Sequence, residues 1–195
     1  MSNNSAVPHP AEALVLARVP AAVRERAARV RLMVFDVDGI LTDGSLWYGD
    51  HGETVKRFNA LDGQGMRLLG SGGVAVAVLT AREGPIVTRR AADLGIADVA
   101  QRVHDKAQAL IELAQRRGVP LEHTGFMGDD INDLPAMRQA GFAVTVPAAP
   151  SYVAQAAHWV TERAGGAGAA RECCDLILAA QGRLGALVGV GVRRL

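Results

Sequence analysis

Short apolar runs alternating with helical stretches constrain this chain most. RLMVFDV (31–37), VAVAVLT (74–80), HTGFMGDD (123–130) and GFAVTV (141–146) are too short for helices, and their near-continuous hydrophobicity is that of strands covered on both faces. PIVTRRAADLG (85–95), DKAQALIELAQRRG (105–118) and NDLPAMRQAG (132–141) carry amphipathic helical spacing, the first with proline in its first turn and glycine at its end. A further short strand is expected near DVAQRV. The rhythm predicts an α/β fold, a doubly wound parallel sheet of Rossmann-like type with helices on both faces. Ligands in that architecture bind at the carboxyl ends of the strands.

SLWYGDHGETVKRFN (45–59) breaks the rhythm, reading as two β-stretches around a Gly-Asp-His-Gly turn. It predicts a small β-hairpin flap over the strand ends and no large cap domain. GGAGAA (165–170) reads as a flexible connector into a last helix, RECCDLILAAQG. A length of 195 residues suits a single domain, placed at 30–183 between an N-terminal leader and helix (1–29) and a C-terminal tail (184–195).

Lys+Arg 21 against Asp+Glu 20 gives a net charge of +1, so no general drive toward nucleic acid or anionic membranes is expected. No apolar run approaches the roughly 18 residues of a membrane span, and the N-terminus lacks the pattern of an export signal. A loose leader and a cytoplasmic location are the expectations. Cys173 and Cys174 are adjacent, an arrangement poorly suited to a structural disulfide or a zinc site, and burial is expected for both.

The chemistry gathers at the strand ends. Residues two apart on a strand point to one side, so Asp36 and Asp38 face one cavity if the extended conformation persists through Val37. Two close carboxylates repel unless they share a cation or a proton. GDDIND adds Asp129, Asp130, Asn132 and Asp133 at a second strand end, and hard oxygen ligands of this kind suit Mg²⁺. Thr80 ends another apolar run, and Lys106 begins a helix. A hydroxyl and an ammonium there could hold phosphoryl oxygens while a carboxylate attacks in line.

DVDGILTDG, the threonine of LTAR, a lone Lys106 and GDDIND resemble, in this order, the four motifs of the haloacid dehalogenase superfamily of phosphohydrolases. Over residues 30–183 the likeness narrows to a capless subfamily that dephosphorylates an eight-carbon keto-sugar acid in lipopolysaccharide precursor synthesis. The resemblance implies that Asp36 is the nucleophile and Asp38 the general acid and base, with Thr80 and Lys106 holding the phosphoryl group. It implies Mg²⁺ on Asp36, the backbone carbonyl of Asp38, and Asp129, with Asp133 orienting Lys106 or a metal-bound water. Substrate contacts would come from Asp38, Lys106, the segment Asn59, Ala60, Leu61, Asp62 and Gly63, and Arg67, Arg82 and Arg90. It also implies a homotetramer acting on a small sugar-acid phosphate, with Arg171 and Glu172 placed to complete a neighbouring site. Leu61 stands where the family often has arginine, which removes one substrate contact or leaves it to the backbone, and LTAR replaces the usual Thr-Gly-Arg.

Three other readings are weighed. A signalling receiver domain shares the Asp, Thr and Lys set, but its phospho-acceptor lies on a later strand. A phosphatase-like domain kept for phosphate binding and a phosphatase for a nonulosonate 9-phosphate share all the motifs. Asp43 is expected to shape the turn into the flap, Trp47 and Tyr48 to pack in a sheet or subunit contact, and the five histidines to be structural or surface residues.

Overall fold

The structure is a computed structural model that describes residues 9–192, with side chains to residue 189. Six strands, β1 (Leu32–Phe35), β4 (Ala75–Leu79), β5 (Asp98–Ala100), β6 (Thr124–Met127), β7 (Phe142–Thr145) and β8 (Trp159–Val160), form a parallel sheet of order β5-β4-β1-β6-β7-β8. β2 (Trp47–Gly49) and β3 (Gly52–Val55) form the separate antiparallel flap. The predicted doubly wound sheet with a small hairpin is thus what the chain forms.

Alternation along β1 organises the core. Leu32 and Val34 join one apolar cluster and Met33 and Phe35 the other, so the central strand feeds both faces. On the Met33 side lie α2 (Ala21–Arg29), α3 (Ala60–Ser71), α4 (Pro85–Leu94) and α8 (Ala169–Ala180). On the Leu32 side lie α5 (Lys106–Arg117), α6 (Leu134–Gln139) and α7 (Ser151–Ala156). Each fully buried Leu, Phe or Met contributes about 1.5–3 kcal/mol, which holds the strand ends in register.

The segment expected as a loose leader is packed from residue 9 onward: His9 caps α1 (Pro10–Leu16) by accepting from the Ala11 N–H at 3.2 Å. Buried Glu12 accepts from the His9 N–H and from the Gly185 N–H at the start of α9 (Leu184–Val192). Residues 1–8 of the leader and 193–195 of the tail lie outside the described residues. Trp47 and Tyr48 stand in the flap sheet, 60% and 62% exposed. Cys173 and Cys174 are buried, as expected.

Candidate active site

β1 lies between β4 and β6, and their parallel register sets the end of each strand at one level. The Asp36 N–H donates to the Met127 carbonyl at 2.9 Å, which carries β1 pairing one residue past Phe35 and fixes the first carboxylate. The N–H groups of Ile40, Leu41 and Thr42 then converge on the Val37 carbonyl, turning the chain away. Gly39 makes that turn at φ +84°, and a Cβ there would stand 1.8 Å from Oδ2 of Asp129. Only glycine lets the two acidic loops approach so closely.

Lys106 sits where the acids meet. Its Nζ donates to Asp36 Oδ1 at 2.8 Å and to Asp133 Oδ1 at 2.5 Å, all three side chains being nearly inaccessible. The other Asp133 oxygen accepts from the backbone N–H groups of Asp129 and Asp130, at 3.0 and 3.1 Å. Asp133 therefore ties the Gly-Asp-Asp loop to the lysine. Thr80, also buried, follows β4 beside Asp36, and its Oγ1 accepts from the Arg82 N–H at 3.2 Å.

Carboxylate oxygens of Asp36, Asp129 and Asp133 lie within 4.8 Å of one another, with one ammonium among them. Burial first, then repulsion from Asp133, outweighs Lys106 and pushes the Asp36 pKa up to about 7. Burial and the carboxylates of Asp133 and Asp130 push Asp129 to about 6. Burial opposes charge on Lys106, yet Asp36 and Asp133 together hold its pKa above the ordinary lysine value. The site is short of positive charge, and hard oxygen donors in this arrangement suit a divalent cation. With both Asp133 oxygens engaged, Asp36 and Asp129 are the carboxylates with capacity to spare.

Asp38 is held from the flap side. Its Oδ1 accepts from Nζ of Lys56, and Arg82 Nε stands 3.8 Å from its Oδ2. Glu53 lies 2.7 Å from Lys56 and 3.6 Å from Arg82, whose guanidinium also donates to the Tyr48 hydroxyl at 2.6 Å. Arg82 Nε is buried and has no hydrogen-bond partner among the described residues. Lys56 and Glu53 stand outside the residues that the sequence motifs point to.

The remaining expected contacts divide. Arg90 is at the flap base, its guanidinium 5.7 Å from the Phe58 ring centre and donating to the Asn59 carbonyl, in space that a side chain at Gly63 would take. Asn59 caps α3, accepting from the Leu61 N–H at 2.7 Å. Asp62 is buried and accepts from the N–H groups of Gly168 and Arg171, so its carboxylate serves the start of α8. Ala60 and Leu61 are exposed. Arg67 is not brought to the site: it donates to the Asp93 carbonyl and borders a cavity of about 600 Å³ with Ala75 and Val76, at the opposite end of β4 from Thr80.

GGAGAA is more than a connector. The Gly166 N–H donates to the Ile40 carbonyl at 2.9 Å, and a Cβ on Gly165 would stand 1.7 Å from the Gly39 carbonyl oxygen. The segment clasps the Asp36 loop of its own chain. Arg171 and Glu172 are engaged in that chain too, Arg171 with Asp175 and Glu172 with the N–H groups of Glu162 and Arg163. Asp43 accepts from the Ser45 N–H and pairs with Arg57, at the entry to the flap.

The family model of haloacid dehalogenase-like hydrolases matches residues 77–172. The 3-deoxy-D-manno-octulosonate 8-phosphate phosphatase of Yersinia pestis is 41% identical over 170 residues, covering 87% of this chain and 91% of that one. A Xanthomonas campestris protein of solved structure, XCC2798, superposes with a TM-score of 0.87 at 44% identity, covering 90% of this chain and 96% of that one. The Moraxella catarrhalis 3-deoxy-D-manno-octulosonate 8-phosphate phosphatase, solved with magnesium, phosphate and a KDO molecule, gives 0.84 at 38% identity over 87% and 97% of the two chains. Identity of this extent over nearly whole chains places the protein in the 3-deoxy-D-manno-octulosonate 8-phosphate phosphatase family of haloacid dehalogenase-like hydrolases.

Proposed function

We propose that this chain hydrolyses 3-deoxy-D-manno-octulosonate 8-phosphate to the free sugar acid and phosphate. The observation that carries the reading is the pair of carboxylates, Asp36 and Asp38, separated by one buried valine and placed in two different environments. Asp36 is fixed by backbone pairing and by Lys106 and attacks phosphorus in line, forming an aspartyl-phosphate. Asp38 reaches from the same loop toward the flap, gives its proton to the departing alkoxide, and later takes one from the attacking water. Lys106 and Thr80 hold the phosphoryl oxygens, and Asp133 keeps Lys106 aimed.

Asp36, Asp129 and the backbone of Asp38 would hold Mg²⁺. When bound, the ion neutralises the crowded carboxylates and the phosphate oxygens. The raised pKa values of Asp36 and Asp129 support a missing positive charge there. Arg82, with its unpartnered buried Nε, and Arg90 are suited to the polar sugar acid. Asn59, Ala60, Leu61, Asp62 and Gly63 shape the flap base in this chain, and Arg67 would meet substrate only in a neighbouring subunit's site. A homotetramer is part of the reading: Leu46, Trp47 and Val55 are exposed apolar side chains on the flap that subunit contact would cover. A cytoplasmic location accords with it, and no described helix is long and apolar enough to cross a membrane.

The test is phosphate release, compared by kcat/KM, from a panel of the eight-carbon acid phosphate, nonulosonate 9-phosphates and hexose phosphates. A clear preference for the eight-carbon acid is expected. Equal rates on hexose phosphates would refute it, and preference for a nine-carbon acid would move the substrate while leaving the chemistry.

A further inference from the structure

Lys56 lies outside the motifs that carry the phosphatase reading. Its side chain is 4% exposed although it follows a short hairpin, and its ammonium is held between Asp38 and Glu53. Glu53 also faces Arg82, which reaches back toward Asp38. The four charges close a ring that joins the flap to the loops after β1 and β4. Within it, Lys56 donates to Asp38 Oδ1, whereas Oδ2 accepts no hydrogen bond among the described residues. A carboxylate so held has one oxygen committed and one presented.

We propose that Lys56 is a positioning residue for the reaction, acting through Asp38. By occupying Oδ1 it fixes the rotation of the carboxylate and leaves Oδ2 as the oxygen that carries the proton to the leaving group. The proposal rests on the phosphatase reading. In the step it serves, Asp36 forms a bond to phosphorus as the phosphorus–oxygen ester bond breaks, and the proton on Asp38 passes to the departing oxygen. Glu53 holds Lys56 from its other side, so correct aim of Asp38 depends on the flap being folded down. A floppy carboxylate delivers its proton less often, and misplacement by about 1 Å can cost on the order of 100-fold.

The consequence is selective. A sugar alkoxide is a poor leaving group and needs the proton, whereas p-nitrophenolate leaves with little help. Steady-state kinetics of wild type, Lys56→Met and Lys56→Arg with saturating Mg²⁺ on the eight-carbon acid phosphate and on p-nitrophenyl phosphate test it. Lys56→Met is expected to lower kcat on the sugar phosphate by about 10- to 100-fold, with KM within about threefold. Its kcat/KM on the aryl phosphate, set by formation of the aspartyl-phosphate before Asp38 activates water, stays within about threefold of wild type, which also reports an intact fold, and Lys56→Arg recovers most of the loss. Equal falls on both substrates would assign Lys56 to structure, a rise in KM alone would assign it to substrate binding, and no change on either would remove it; each overturns the proposal. If wild type turns over a different alkyl phosphate better, the same ratio is read on that compound, so failure of the substrate reading is separable from failure of this one.

Discussion

Two lysines each bridge two carboxylates in this molecule, in opposite settings. Lys106 joins Asp36 and Asp133 at the ends of β1 and β6, on the first turn of a capped twelve-residue helix. Lys56 joins Asp38 and Glu53 at the end of a two-stranded hairpin that, among the described residues, pairs with no other strand. The first bridge is part of the scaffold, its side chains nearly inaccessible at the floor of the site. The second can be hydrated by lifting the flap. A reaction needing a fixed nucleophile and a proton donor that admits and releases substrate is served by that division.

The largest contrast is in activity. Asp36→Asn removes the attacking oxygen and is expected to abolish turnover on every substrate, by about 10⁴-fold or more, in phosphate-release assays. Asp38→Asn should cost about 10²–10⁴-fold on the sugar phosphate and less on p-nitrophenyl phosphate, because only the proton is lost. If the two variants fell equally on both substrates, the division of labour would be wrong.

Stability separates the lysines next. Lys106→Met strands Asp36 and Asp133 in a buried site and is expected to cost about 3–5 kcal/mol in urea unfolding. Lys56→Met should cost about 1 kcal/mol or less, since Asp38 and Glu53 can gain water when the flap lifts. Similar losses from both would mean that the hairpin is as rigid as the sheet. The clasp on the Asp36 loop belongs to the rigid side, and Gly165→Ala, which drives a methyl into the Gly39 carbonyl, should cost about 1–3 kcal/mol.

The smallest effect is in the pH dependence of the metal-free protein. Asp36 has its pKa raised from 3.8 to about 7, so between those values the folded chain keeps a proton that the unfolded chain has lost. Stability therefore falls as pH rises through that window and is lowest above it. Mg²⁺ should raise the melting temperature more at pH 7.5 than at pH 5.5, since below about 7 the ion must first displace that proton. A Mg²⁺ effect independent of pH would contradict the crowded-acid account.

The same contrast explains what could be read without coordinates. Asp36, Thr80, Lys106 and Asp129 stand where short apolar runs give way to polar residues, and a parallel sheet brings such ends to one edge. Lys56 and Glu53 offered no such signal. The hairpin register shifts between Trp47 and Tyr48, so simple alternation does not tell which flap residues face inward. Arg67 has no such signal either: α3, packed against α8, carries it to the far end of β4 in its own chain. The polar, proline-containing start of the chain reads as loose in sequence, whereas Glu12 is satisfied by Gly185, which lies 173 residues away.

The account turns on Asp36 becoming phosphorylated. Rapid quench of wild type during turnover of the eight-carbon acid phosphate, borohydride reduction of the acyl-phosphate and peptide mass spectrometry address this directly. One reduced residue is expected, at Asp36, accumulating further in Asp38→Asn supplied with p-nitrophenyl phosphate, whose leaving group needs no proton while water is no longer activated. A modification at Asp129 or Asp38, or none in enzyme that is turning over, would contradict it.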